Sequence, residues 1–213
     1  MARTQKSRFH KGYQIIPGKG KTFWCIIMID THCHIDFEEF DDDREDVIKR
    51  AKDKLDHVIV SGYSNESNMK VLQLSKDYEG FIYPTFGFHP VSSQNASEED
   101  LRIAHENIRN NLDSILAVGE VGMDYYYVTD KALRERQQEI FKSFLELANE
   151  YRVPIVMHVR DCEKKAVNII ADYDNIPYFV FHCYGGSLKT AKTIKNMGNA
   201  YMSFSTMLCY SQK

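Results

Sequence analysis

Six side chains of metal-binding type stand at the ends of apolar segments: His32, His34, His89, Glu120, His158 and His182. In Asp30-Thr31-His32-Cys33-His34, an extended backbone turns positions 32 and 34 to one side, roughly 6 to 7 Å apart, so both imidazoles reach one ion while Cys33 points away. Chance alone supplies about 0.3 such H-x-H pairs in a chain with this many histidines, so the spacing by itself carries little weight. Recurrence adds the weight, through Phe88-His89-Pro90, Met157-His158-Val159 and Phe181-His182-Cys183. Each alone is more often a hydrogen-bonded core histidine, but their shared placement at strand exits is hard to attribute to packing, since strand ends on one side of a parallel barrel converge on a common mouth. His57 begins a strand and His105 lies within a helix, so both read as structural, and His10 as exposed.

Glu120 closes the apolar run Val118-Gly119-Glu120, where an unpaired carboxylate is costly to bury. Its alternative role is a salt bridge to a nearby lysine or arginine. Two divalent cations ~3.7 Å apart repel by on the order of 18 kcal/mol at an effective dielectric of 20, so a two-metal site needs a bridging anion. Glu120 is the candidate bridge. Arg160, two residues beyond His158, could clamp a phosphate oxygen bidentately or make a structural ion pair, and Asp161 reads as a helix N-cap. Tyr125, Tyr126 and Tyr127 follow Glu120 at the mouth, where one ring could stack on a base while at least one packs into the core. Gly185-Gly186 offers backbone N–H groups to an anion, or is simply a turn.

The elements that must position these residues alternate. Strands are expected at Cys25 to His32, His57 to Ser61, Ile82 to Phe86, Ile115 to Glu120, Pro154 to His158, Tyr178 to His182 and Ala200 to Phe204. Helices are expected at Asp43 to Leu55, Asn65 to Tyr78, Glu98 to Asn111, Asp130 to Tyr151, Asp161 to Tyr173 and Ser187 to Met197. Ser97 and Ser187 supply helix-start caps, and Ile140, Phe144, Leu147 and Tyr151 mark the buried stripe of the fourth helix. Alternating units make an α/β fold with a parallel sheet, a TIM-type barrel with about seven of its eight strands.

With 213 residues the chain suits one domain, and its five cysteines form no C-x-x-C pair, which favours neither a disulfide framework nor a thiolate zinc site. A reducing, cytoplasmic setting is expected, with nuclear or organellar placement left open. Residues 1 to 27 hold six basic residues and no acidic one, leaving 21 basic against 30 acidic over 28 to 213, a net charge of -9 there. The expected division is therefore a basic extension over 1–27 and a barrel over 28–213. So acidic a barrel lacks the broad basic face of a protein that grips long duplex DNA, and any nucleic-acid contact must be local. No apolar run approaches the ~18 residues of a membrane span, so no membrane is expected as a partner.

Taken together, Met28-Ile-Asp-Thr-His-Cys-His-Ile-Asp36, Gly87-Phe-His-Pro90, Gly119-Glu-Val-Gly-Met-Asp124, Arg136-Gln-Gln-Glu-Ile-Phe141, Pro154-Ile-Val-Met-His-Val-Arg-Asp161, Phe181-His-Cys-Tyr-Gly-Gly186 and Tyr201-Met-Ser-Phe204 resemble the TatD family of metal-dependent deoxyribonucleases. The resemblance implies a barrel holding two divalent metal ions (Mg, Mn or Zn). His32 and His34 would bind the first, Glu120 would bridge, His158 and His182 would hold the second, and His89 would sit beside the substrate phosphate. It implies cleavage of DNA phosphodiester bonds, and the acidic surface favours single-stranded ends. The family's eighth-strand T-D-x-P aspartate has no match here, so a chain truncated before that strand is expected, unless Phe23 to Ile27 or the basic extension covers the gap. Two rival readings keep the same residues: hydrolysis of the ester in D-aminoacyl-tRNA, with tRNA as partner, and an inactive barrel fragment.

Overall fold

The computed structural model of the protein describes residues 27–206 and Cys209. The expectations for the basic extension and for a first strand beginning at Cys25 lie outside these residues, apart from the boundary at Ile27. Seven strands, β1 (Ile29–Cys33), β2 (His57–Ser61), β3 (Ile82–Phe86), β4 (Ala117–Asp124), β5 (Ile155–Arg160), β6 (Phe179–His182) and β7 (Ala200–Met202), form one sheet. They pair in sequence order and in parallel, as the curled sheet of a TIM-type barrel. Helices α1 (Arg44–Lys52), α2 (Asn65–Asp77), α3 (Pro90–Ser93), α4 (Glu98–Asn110), α5 (Lys131–Tyr151), α6 (Glu163–Ile170) and α7 (Leu188–Asn196) connect them.

The local reasons are visible in the residues. β2 is a β-branched run whose Val58 and Val60 are buried, and β5 buries Ile155 and Met157 in the same core. α4 starts at a full capping box, in which Ser97 Oγ accepts from Asp100 N–H and the Asp100 carboxylate accepts from Ser97 N–H. Asp130 and Ser187 cap α5 and α7 in the same manner, and Ser64, just before Asn65, caps α2. α5 lays Ile140, Phe141, Phe144, Leu145 and Leu147 against the sheet, each such burial contributing roughly 1.5–3 kcal/mol. Tyr151, the expected end of that stripe, is 38% exposed instead.

β4 departs most from expectation. It does not stop at Glu120 but runs four residues further, because Gly119 and Gly122 are strand residues rather than terminators. Both have positive φ (153° and 148°), and a Cβ on Gly122 would lie 2.0 Å from the carbonyl oxygen of His158. That close approach lets β5 lie directly against β4, with a register irregularity between Val118 and Val121. Beyond it Gly122 pairs with His158, and His158 pairs with His182, so site residues of neighbouring strands share one level. α3 was not expected at all; four residues are too few to show a period, and it begins at Pro90 with His89 as its N-cap. Asp161 is not an N-cap: it takes a left-handed conformation (φ 59°), and Cys162 precedes α6 in its place.

Candidate metal centre

Glu120 is the hub of the site and is 2% exposed. Its two oxygens face different partners. Oε2 lies 3.2 Å from Nε2 of His32 and 3.2 Å from Nε2 of His34. Oε1 lies 2.6 Å from Nε2 of His182 and 3.0 Å from Nδ1 of His158, with His89 Nε2 at 3.8 Å. One carboxylate therefore stands between two histidine pairs. The His32 and His182 rings stack at 4.0 Å and 9°, and since β1 and β6 lie far apart in the strand order, this contact records the curl of the sheet.

Backbone and carboxylate partners fix which nitrogen each ring presents. A carbonyl oxygen only accepts, so the 2.9 Å contact of His34 Nδ1 with Ser61 O puts a proton on Nδ1 and leaves Nε2 of the neutral ring bare. His158 is held the other way round, with Nε2 2.8 Å from Asp124 Oδ2 and Nδ1 facing Glu120. His89 Nδ1 accepts from Val91 N–H at 3.3 Å, so the neutral ring carries its proton on Nε2 and points it into the site. His89 arrives there because its own N–H donates to Tyr63 O and because the buried Asn68 side chain exchanges two hydrogen bonds with Gly87.

Charge is distributed accordingly. Burial works against a charged Glu120, but the imidazoles of His158, His182, His32 and His34 around it outweigh that and hold the carboxyl well below its usual range. For His158 the contacts with Asp124 and Glu120 overcome burial and raise the pKa to about 9. Burial prevails at His89, lowered to about 4 with help from the positive charge on His158. His32 is lowered, chiefly by burial, while Glu120 outweighs burial at His34 and raises it.

These residues fit a metal. Oε2 of Glu120 is buried without a hydrogen-bond partner, although two imidazole nitrogens lie within 3.2 Å of it. His32 Nε2 and His34 Nε2 also face one another at 3.1 Å. Three ligand-type atoms, a buried carboxylate oxygen and two imidazole nitrogens, thus crowd one point, an arrangement that a cation would resolve. Two sets of ligand atoms are close enough to share an ion: His32, His34 and Glu120, and His89, Glu120 and His158. Imidazole suits zinc or manganese, and carboxylate suits magnesium. Above the cluster opens a cavity of about 320 Å³ walled by Phe37, Tyr63 and Ser92.

Every histidine expected at the site is thus brought together around Glu120. Arg160 is not in that cluster: it ends β5 with its guanidinium 3.8 Å from the centroid of the Tyr126 ring and 5.0 Å from that of Tyr127, and among the described residues it makes no ion pair. Tyr126 and Tyr127 are 54% and 67% exposed, whereas Tyr125 packs against the core. Gly185-Gly186 is the bend leading into α7, where Ser187 Oγ accepts from Thr190 N–H. Sequence reasoning passed over Ser61 and Asp124. Asp124 was within reach, because it shares the strand parity of Glu120 and Gly122, but only for a reader who let β4 run through its glycines.

Residues 29–213 match the TatD related DNase family. The uncharacterized metal-dependent hydrolase MJ1582 of Methanocaldococcus jannaschii is 40% identical over 184 residues, 86% of this chain and 70% of that protein. The 3'-5' ssDNA/RNA exonuclease TatD of Pectobacterium carotovorum is 27% identical over 162 residues, 75% of this chain and 61% of that protein. Among solved structures, the TatD homologue YjjV of Escherichia coli K12 superposes with a TM-score of 0.73 at 30% identity, over 83% of this chain and 66% of that one. The chain spans about two thirds of the length of these relatives. With its curled parallel sheet and its histidines gathered on one glutamate, the chain belongs to the TatD family of metal-dependent hydrolases.

Proposed function

We propose that the protein hydrolyses phosphodiester bonds of DNA from single-stranded ends, using two divalent cations. The observation that carries this reading is the division of the Glu120 oxygens between two histidine pairs. His32, His34 and Oε2 would hold one ion, and His158, His182 and Oε1 the other, with Glu120 as the shared anion that offsets their repulsion. Bound there, the cations supply Lewis acidity and an activated water. His89, neutral and with its Nε2–H directed inward, donates to a phosphate oxygen and stays out of the ligand set, although its distances alone would admit it. Arg160 lies on the rim, where it approaches the next phosphate, and the exposed Tyr126 and Tyr127 rings beside it offer a face to a base. A barrel this acidic, with a small cavity over the histidine cluster, suits a thin strand end better than a duplex. A reducing, cytoplasmic setting belongs to the same reading, in keeping with the free thiols of Cys33, Cys162, Cys183 and Cys209.

The test is release of mononucleotides from end-labelled single-stranded DNA by the purified protein with magnesium, manganese or zinc. Glu120→Gln should lower the rate by at least ~10²-fold, the scale of losing one key electrostatic group in an active site. Absence of release with all three cations overturns the proposal.

A further inference from the structure

Asp124 is a fully buried carboxylate whose two oxygens are committed to different tasks. Oδ1 accepts from the backbone N–H groups of Tyr126 (3.0 Å) and Tyr127 (2.8 Å), while Oδ2 lies 2.8 Å from Nε2 of His158. Its own N–H donates to the side-chain oxygen of Gln137, also fully buried. The Gln137 amide group in turn donates to Pro90 O and to Gln94 Oε1, which ties the same node to α3 and thereby to His89. Nothing in this arrangement lets Asp124 rotate away from His158 without releasing the tyrosine turn.

We infer that Asp124 is the positioning residue of the centre: by accepting the Nε2–H of His158 it commits that ring to presenting Nδ1, while His34, locked by Ser61 O, presents Nε2. An ionised carboxylate only accepts, so Nε2 of His158 carries a hydrogen in either protonation state, and Nδ1 is the nitrogen left for a cation. The same oxygen pair fixes the Tyr126–Tyr127 turn, so the ring that faces the metal and the ledge that faces the strand are set by one group. The inference rests on the metal-centre reading above and not on the substrate.

Asp124→Asn tests it. An asparagine that keeps accepting from Tyr126 and Tyr127 through Oδ1 must turn its NH₂ group toward His158 Nε2, which then becomes the acceptor and moves the ring proton to Nδ1. In the zinc-loaded protein, imidazole ¹⁵N spectra should show the His158 proton on Nε2, shielded from exchange. In Asp124→Asn that signal should be lost and zinc affinity should fall ~10- to 100-fold, with the His34 signal unchanged. A merely structural role would lower the melting temperature and leave the tautomer and the affinity alone. Wild-type His158 protonated on Nδ1, or Asp124→Asn that binds zinc as wild type does, overturns the inference. If Asp124→Asn does not fold, the wild-type spectrum alone decides. A protein with the expected spectrum that cleaves no DNA refutes the nuclease reading and leaves this one standing.

Discussion

At Glu120, and at the histidines around it, the chemistry depends on which atom faces inward. His34 and His158 are the same residue type at the same mouth, yet Ser61 O and Asp124 Oδ2 make them present different nitrogens. The thiols beside them are set apart by burial in a comparable way. Cys162, buried and with its Sγ–H donating to Met123 O, is pushed up to about 12, and Cys33, donating to Ile59 O, also reaches about 12. Cys209 is exposed. Alkylation of the native protein at mildly alkaline pH, read by peptide mass spectrometry, should therefore modify Cys209 before Cys33 and leave Cys162 unmodified until the protein is denatured. Early modification of Cys162 would contradict the packing described. At this scale the sequence was largely legible: the five histidines and Glu120 could be singled out by type and placement. Ser61 could not, because a partner is chosen by three-dimensional proximity and a serine carbonyl leaves no mark in a sequence, and Asp124 could only if β4 was allowed to run on through its glycines.

Among the elements, β4 and α4 show what local rules control. Gly122 has no room for a Cβ against the His158 carbonyl, so Gly122→Ala should destabilise the fold by about 3 kcal/mol in urea titrations, the upper range for forcing atoms into a packed site. An unchanged midpoint would mean that β5 yields more readily than its pairing suggests. The capping box of α4 sets a pH dependence. Hydrogen bonds from Ser97 lower the pKa of Asp100, so its stabilising contribution is present above the ordinary carboxylate range and is lost as pH falls through the lowered folded value. Asp100→Asn should accordingly melt below wild type at neutral pH, and the difference should close on acidification; a gap constant with pH would disprove the role. β2, β3 and β6, short runs of β-branched and aromatic residues, begin and end within a residue of their sequence-based expectation. β4 was misjudged because glycine ordinarily ends a strand, and here it serves close approach instead.

At the scale of the molecule, the sheet formed by the described residues has two ends. Among the described residues β1 pairs only with β2, and β7 only with β6, while Ile27, Met28 and Ile29 at one end and Tyr201 and Phe204 at the other are exposed. Such edges template pairing with another chain, and two unlike edges join head to tail, into rings or open chains. The weight-average mass in sedimentation should therefore rise with concentration, and Ile29→Lys should reduce that rise; a constant monomer mass would show the edges to be covered. The parallel order of the barrel was legible from the alternation of segments. Its curl was not, since it shows only when His32 meets His182. The single glutamate between the histidine pairs also bears on how the site fills. If two cations load here as proposed, occupancy of one histidine pair would change the charge and orientation that the shared carboxylate offers the other, so the two would not load as independent events. Whatever factor the first ion imposes on the affinity of the second, the second imposes on the first. On that reading the two halves of the centre would be linked thermodynamically, and a metal titration would report one coupled equilibrium with a shared coupling constant.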